Sequence, residues 1–158
     1  AMFRPMRRSD KALPEGEVLE MLKTCTSGVL AVCGDDGYPY TVPVSHVYAD
    51  GKIYFHCFKE GHKLDAIRGC DKVSFCVVEQ DNVVQEEFAT HFRSTVVFGR
   101  ARILTGDEER RHALTCLNDK FSPLYPQEGA KEIELSWERV CVVEITPEHV
   151  TGKGVPNE

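Results

Sequence analysis

The residues best equipped for chemistry lie between positions 53 and 63, in the run Ile-Tyr-Phe-His-Cys-Phe-Lys-Glu-Gly-His-Lys. An apolar, β-prone stretch gives way to a short loop containing Gly61, and a helix is expected to begin near His62. Free backbone N–H groups at a helix start, together with Lys63, His62 and His56, would make a seat for a phosphate. Gly61 would let the backbone approach such an anion closely. A solvated helix start with surface Lys and His is the equally weighted alternative. The second run of interest is Tyr40-Thr41-Val42-Pro43-Val44-Ser45-His46. A proline inside a strand leaves the opposing carbonyl without a donor and frees neighbouring main-chain groups for a flat polar ring. An edge strand guarded by its prolines explains the same residues. In a third run, Arg93 to Arg100, Gly99 in mid-strand suggests either a bulge or the close approach of something flat.

Other constellations are weaker. His56 and Cys57 are adjacent on a strand, so they point to opposite faces and make no simple nucleophile–base pair. His46, His56 and His62 come with no matching Cys or carboxylate spacing, so no metal is expected. His91, His112 and His149 read as surface residues. Trp137 is either a core residue or a stacking partner. No Gly-rich nucleotide loop and no G-x-S-x-G is present.

The elements that must carry these residues follow from pattern. Val18, Leu19 and Leu22 give helical spacing over residues 14–24. Strands are expected over 28–33, 38–48 and 53–58, joined by turns at Gly34-Asp35-Asp36-Gly37 and Ala49-Asp50-Gly51-Lys52. A helix over 60–68 precedes strand 72–79. Residues 80–90 are polar and read as a loop, 94–104 as a strand, 107–117 and 130–136 as helices with loop between, and 139–145 as the last strand. From Gly152 onward the tail is expected to be loose, as are residues 1–10. Six antiparallel strands tend to close rather than leave edges exposed, so the fold expected is mainly β with short helices, a single domain over 1–158.

Composition sets the outer limits. The chain has 158 residues, 42% hydrophobic and 28% charged, with a formal net charge of −6. That suits one globular core and works against non-specific nucleic-acid or anionic-lipid binding. No apolar run reaches the roughly 18 residues of a membrane span. Arg4, Arg7 and Arg8 have no apolar stretch behind them, so no signal peptide is expected. Ala1 before Met2 looks like an expression remnant. Seven cysteines (Cys25, Cys33, Cys57, Cys70, Cys76, Cys116, Cys141) without C-x-x-C fit reduced thiols in a cytoplasm.

Taken together, SGVLAVCGDDGYPYTVPVSHVYADGKIYFHCFKEGHKLDAI, KVSFCVV and STVVFGRARIL resemble the pyridoxamine 5′-phosphate oxidase-like split-barrel flavoproteins, and among them the 5-nitroimidazole-resistance (Nim) type. The resemblance implies a six-stranded split β-barrel, a homodimer, and FMN at the subunit interface. It assigns Pro43, Val44 and Ser45 to the isoalloxazine ring through backbone groups, and His56, His62 and Lys63 to the ribityl and phosphate parts. Val97, Phe98 and Gly99 would border the ring, with Trp137 and Arg139 reaching in from the partner. The arginine- and serine-rich phosphate signature of true pyridoxamine-phosphate oxidases is missing. The function expected is FMN-dependent electron transfer to a small planar acceptor such as a nitroaromatic, with His56 the candidate for substrate contact or proton supply. A non-catalytic flavin- or heme-binding carrier on the same barrel is the alternative.

Overall fold

The computed structural model describes residues 3–155; Ala1, Met2 and the last three residues of the expected loose tail lie outside them. Seven strands and four α-helices follow in chain order among the described residues. They are α1 (Glu15–Thr24), β1 (Ser27–Cys33), β2 (Pro39–Ser45), β3 (Val47–Ala49), β4 (Lys52–Phe58), α2 (His62–Gly69), β5 (Lys72–Val84), β6 (Ala89–Ile103), α3 (Asp107–Phe121), α4 (Pro126–Ser136) and β7 (Val140–Gly154). All pairings are antiparallel, in the order β2-β1-β5-β6-β7-β4-β3. No helix among the described residues is long and apolar enough to cross a membrane.

The strand count is seven rather than six because the expected strand over 38–48 breaks at His46. β2 and β3 are separated by that residue alone, yet they occupy the two outermost positions of the sheet. A sheet whose two edges are one residue apart in the chain must curl until they meet. The result resembles a split barrel whose edges are joined covalently at His46, without a closing ladder of hydrogen bonds.

The junction is fastened from two sides. The His46 ring is fully buried, its Nε2–H donates to the Leu22 carbonyl of α1 at 2.9 Å, and its edge meets the Phe75 ring at 4.8 Å. Its own carbonyl accepts from Lys120 Nζ of α3 at 2.8 Å, and the same ammonium reaches the Cys25 carbonyl at 2.5 Å. The strand breaks here because the ring turns inward between α1 and the sheet instead of continuing the ladder.

Inside the curl, Leu30, Ile53, Phe55, Phe75, Val97 and Ile145 form the main core, which α1 and α2 close with Met21, Leu22, Leu64 and Ile67. On the outer face of β4 and β7, Tyr54 and Val142 pack under α3 and α4 through Ala113, Leu114, Leu117 and Ile133. The period-2 alternation of the strands thus feeds two apolar layers. Tight turns place the meander: Asp36 and Gly37, and again Asp50 and Gly51, take the positive φ that such connections require.

Two expectations fail at the distal end. Residues 80–90 are not a loop but the outer halves of β5 and β6, paired from Gln80↔Arg93 to Val84↔Ala89 and closed by a 3-10 turn at Gln85–Glu87. Both faces of this arm are largely exposed, so its sequence carries no apolar alternation to announce it. Nor is the tail loose from Gly152, since β7 runs to Gly154 opposite Arg93.

Arg93 explains both. Its side chain is buried, its Nε donates to Glu79 at 2.8 Å and its Nη2 to Glu17 of α1 at 2.9 Å, and its Nη1 reaches the Val155 carbonyl. Glu79 sits at the β5 bulge between Val78 and Gln80, so one guanidinium ties α1, the bulge and Val155 just after β7. Arg93→Ala is expected to lower stability by about 3 kcal/mol, the low end for breaking a buried pair because both carboxylates keep some water. Urea unfolding measures it, and a loss under about 0.5 kcal/mol would reduce the network to a surface ornament.

Burial pushes the His46 ring down to about 4, with the Leu22 carbonyl pulling the other way and Lys120 adding to the fall. The unfolded chain takes up this proton near the ordinary value of 6.5. Between those two values the unfolded state binds more protons, so stability is fully present above pH 6.5 and drains as pH falls towards 4, by about 3 kcal/mol at most. His46→Gln should flatten the stability profile between pH 6.5 and 4.5. An unchanged slope would assign the acid loss to carboxylates instead.

Candidate binding site at the seam

The curl leaves a seam. β2 is paired with β1 on one side only, and β3 covers β4 only from Lys52 to Tyr54, although β4 runs on to Phe58. On that side the main-chain groups of Phe55 to Phe58 have no strand partner, and β2 approaches them. Pro39 and Pro43 withhold two N–H donors from β2, which is tolerated because it is an edge strand. Val42 and Val44 turn inward against the core, whereas Pro43 and Ser45 face outward. Main-chain groups on both lips of the seam are therefore available to an edge-on partner.

The start of α2 lies at the same place. Gly61 precedes it at φ +154 with open space around its Cα, a backbone conformation that a side chain would strain. No side chain caps the helix, and its first intrahelical donors are Asp65 and Ala66, which leaves the N–H groups of His62, Lys63 and Leu64 facing outward. The His62 ring stacks on Tyr40 of β2 at 4.1 Å, and its Nε2 stands 3.8 Å from the Asp35 carboxylate in the β1–β2 turn. Lys63 is half-buried, and its charge reaches Cys57 of β4. Burial pushes that thiol up to about 11 while Lys63 draws it back. So α2's first turn, β2 and the end of β4 converge, with Lys63 the cation directed at that corner.

The remaining sequence candidates are spread over β4, β6 and the outer layer. His56 is on the outer face of β4, opposite Val142, and Cys57 is on the inner side opposite Cys141, so the two are indeed no dyad. Crowding by its neighbours lowers the His56 pKa. Val97 is wholly inside the core. Phe98 lies outside, in a parallel stack with Phe3 and His149 at 5.5 and 4.9 Å from the Phe3 ring, and lines a surface cleft of about 640 Å³ with Cys33, Lys72 and Arg100. Gly99 does sit at a bulge, where Phe98 pairs with His149 and Gly99 with Pro147. What approaches it closely is the protein itself, for a Cβ there would collide with the Thr146 carbonyl. In strand order β6 stands three places from β2, and the cleft spans that distance across β1 and β5 to Pro39 on β2.

Trp137 is held between the Arg110 and Arg111 guanidinium groups, 4.0 and 4.7 Å from its ring, and packs in the outer layer. Arg139 is exposed, and its carbonyl accepts from Lys59 N–H at 3.2 Å, which fastens the start of β7 to the loop entering α2. The sequence reading missed the roles of Lys120 and Arg93. Both act on partners 14 to 95 residues away, and no local motif marks them.

No curated protein matches the chain. Among solved structures, a protein from Bacteroides thetaiotaomicron provisionally assigned to 5-nitroimidazole antibiotic resistance superposes with a TM-score of 0.72 at 19% identity, over 89% of this chain and 83% of that one. An FAD-binding protein from Mesorhizobium loti gives 0.66 at 25% identity over 92% and 97%. The heme storage protein HutZ of Vibrio cholerae gives 0.69 at 14% identity over 90% and 96%. The pyridoxamine 5′-phosphate oxidase family model matches residues 14–154, and the chain belongs to that family.

Proposed function

We propose that the chain is a homodimeric flavoprotein that binds FMN along the seam and passes electrons to a small planar acceptor of the nitroaromatic kind. The observation that carries the reading is the meeting of two unpartnered strand edges with the uncapped start of α2 and Lys63. The edges of Pro43, Val44 and Ser45 supply main-chain groups for the rim of a flat ring. The N–H groups of His62 and Lys63, with the Lys63 ammonium, suit a phosphate dianion through charge-assisted hydrogen bonds. FMN fits this donor set, and when bound it supplies the redox chemistry. The chain's share is to orient the ring, hold the phosphate and exclude water.

A second copy would cover the sheet face beside the seam. Val29, Cys76 and Val96 stand side by side across β1, β5 and β6. Val29, Val78 and Phe98 are 42%, 59% and 39% exposed, an apolar face that a partner would cover. Across such an interface Phe98 of one protomer borders the seam of the other. His56, whose pKa burial lowers, is the group offered to the acceptor. The similarity to an FAD-binding protein and to a resistance protein supports the flavin and the acceptor class. All seven cysteines are free, as a reducing, cytoplasmic setting would keep them.

Absorbance of the purified protein after FMN add-back, with mass identification of the released ligand, tests the cofactor. A flavin spectrum is expected. A heme Soret band would instead favour the heme-binding carrier on the same barrel. Anaerobic reduction followed by a nitroimidazole separates enzyme from carrier, because only an enzyme is reoxidised by the acceptor. Lys63→Ala should weaken FMN binding by about 1.5–3 kcal/mol, or roughly 10- to 150-fold, measured by fluorescence titration. Unchanged affinity would remove the phosphate from α2.

A further inference from the structure

A second cluster lies on the side of the molecule covered by α3. His112 and Cys116 are four residues apart on that helix, so one turn brings both side chains to the same face. Asp50 arrives from the tight turn between β3 and β4, where its φ of +56 fixes the direction of the chain. Its Oδ2 lies 2.5 Å from His112 Nε2, and Cys116 Sγ lies 3.6 Å from the same nitrogen. The three donor atoms all fall within 4.8 Å of one another. His112 is a surface residue, as expected, and its partner Asp50 lies 62 positions away, beyond the reach of any local motif.

The choice of nitrogen decides what this cluster can do. A nucleophile–base–carboxylate relay needs the thiol and the carboxylate on opposite ring nitrogens, one to receive the proton and one to orient the ring. Here both address Nε2, which excludes the relay and leaves three donors aimed at one point. Zinc takes nitrogen at about 2.0 Å and thiolate sulfur at about 2.3 Å with tetrahedral angles, which sets the N···S edge near 3.5 Å. The observed 3.6 Å matches that edge. The carboxylate, now hydrogen-bonded to the ring, has to retreat by a little under about 1 Å to complete the polyhedron. Its side chain is 60% exposed and has the room.

The supports of the three donors are firm. Ala113, Leu114 and Leu117 lock α3 into the outer layer, and the Tyr54 ring meets His112 edge-on at 6.3 Å. We propose that Asp50, His112 and Cys116 form a tridentate site for a divalent transition metal of the zinc class, with the fourth position open to water. One sulfur, one nitrogen and one oxygen favour zinc or cobalt over magnesium or calcium, which prefer oxygen alone. Binding converts the Cys116 thiol to a thiolate and releases its proton to solvent. The ion thereby clasps α3 to the β3–β4 hairpin, independently of any flavin at the seam.

Cobalt(II) titration of the chelator-treated full chain tests the site. One equivalent should produce a thiolate-to-cobalt charge-transfer band with tetrahedral visible bands, and zinc should displace it. Cys116→Ser should abolish the charge-transfer band, and His112→Ala or Asp50→Asn should each weaken binding about tenfold or more. The double replacement Cys33→Ser with Cys70→Ser, which removes thiols elsewhere, should change nothing. All three proposed ligands are exposed or half-buried, so the variants should fold, and far-UV circular dichroism verifies it. Absence of the band, its survival in Cys116→Ser, or its loss in the Cys33/Cys70 variant overturns the assignment.

Discussion

One residue joins the two edges of the sheet. Because β2 ends at Ser45 and β3 begins at Val47, the position of His46 determines where a seven-stranded sheet must come back on itself. Neither contact made there is exceptional in strength. Their effect comes from placement: the imidazole reaches α1, the carbonyl is reached from α3, and the chain between them has no freedom to let the edges separate. The cores on either side of the sheet and the proximity of β2 to β4 follow from that crossing.

The crossing also explains why a slot exists at all. β3 is three residues long, too short to cover β4, so the far half of β4 is left facing the naked side of β2. An exposed strand edge is ordinarily a hazard that invites pairing with other chains. Here two such edges face one another across a narrow gap, with prolines on one lip and a helix start at its end. The same curl that hides them from other molecules concentrates main-chain donors and acceptors at one place.

Local signals in the sequence were read well, and distant ones were not. The Asp-Gly turns, the helix over α1 and the glycine before α2 each depend on residues within a few positions, and each is where its pattern puts it. The break at His46 could not be seen, because it depends on a buried carbonyl 24 residues upstream. The distal arm of β5 and β6 was hidden for the opposite reason, since a ribbon wet on both faces needs no alternation. Gly99 was legible as a bulge, but its neighbour across the gap proved to be β7. At the candidate site, His62, Lys63 and the proline strand lie together, whereas Val97 is turned into the core and Trp137 is carried at the end of α4 in the outer layer, placements that no single segment encodes.

The acceptors at the crossing are main-chain oxygens, those of Leu22, Cys25 and His46. Every amino acid carries one, so the receiving half of this fastening is indifferent to side-chain identity. Positions 22 and 25 are free to drift within the limits of volume. Positions 46 and 120 are not, because a change at either is felt on both margins of the sheet simultaneously.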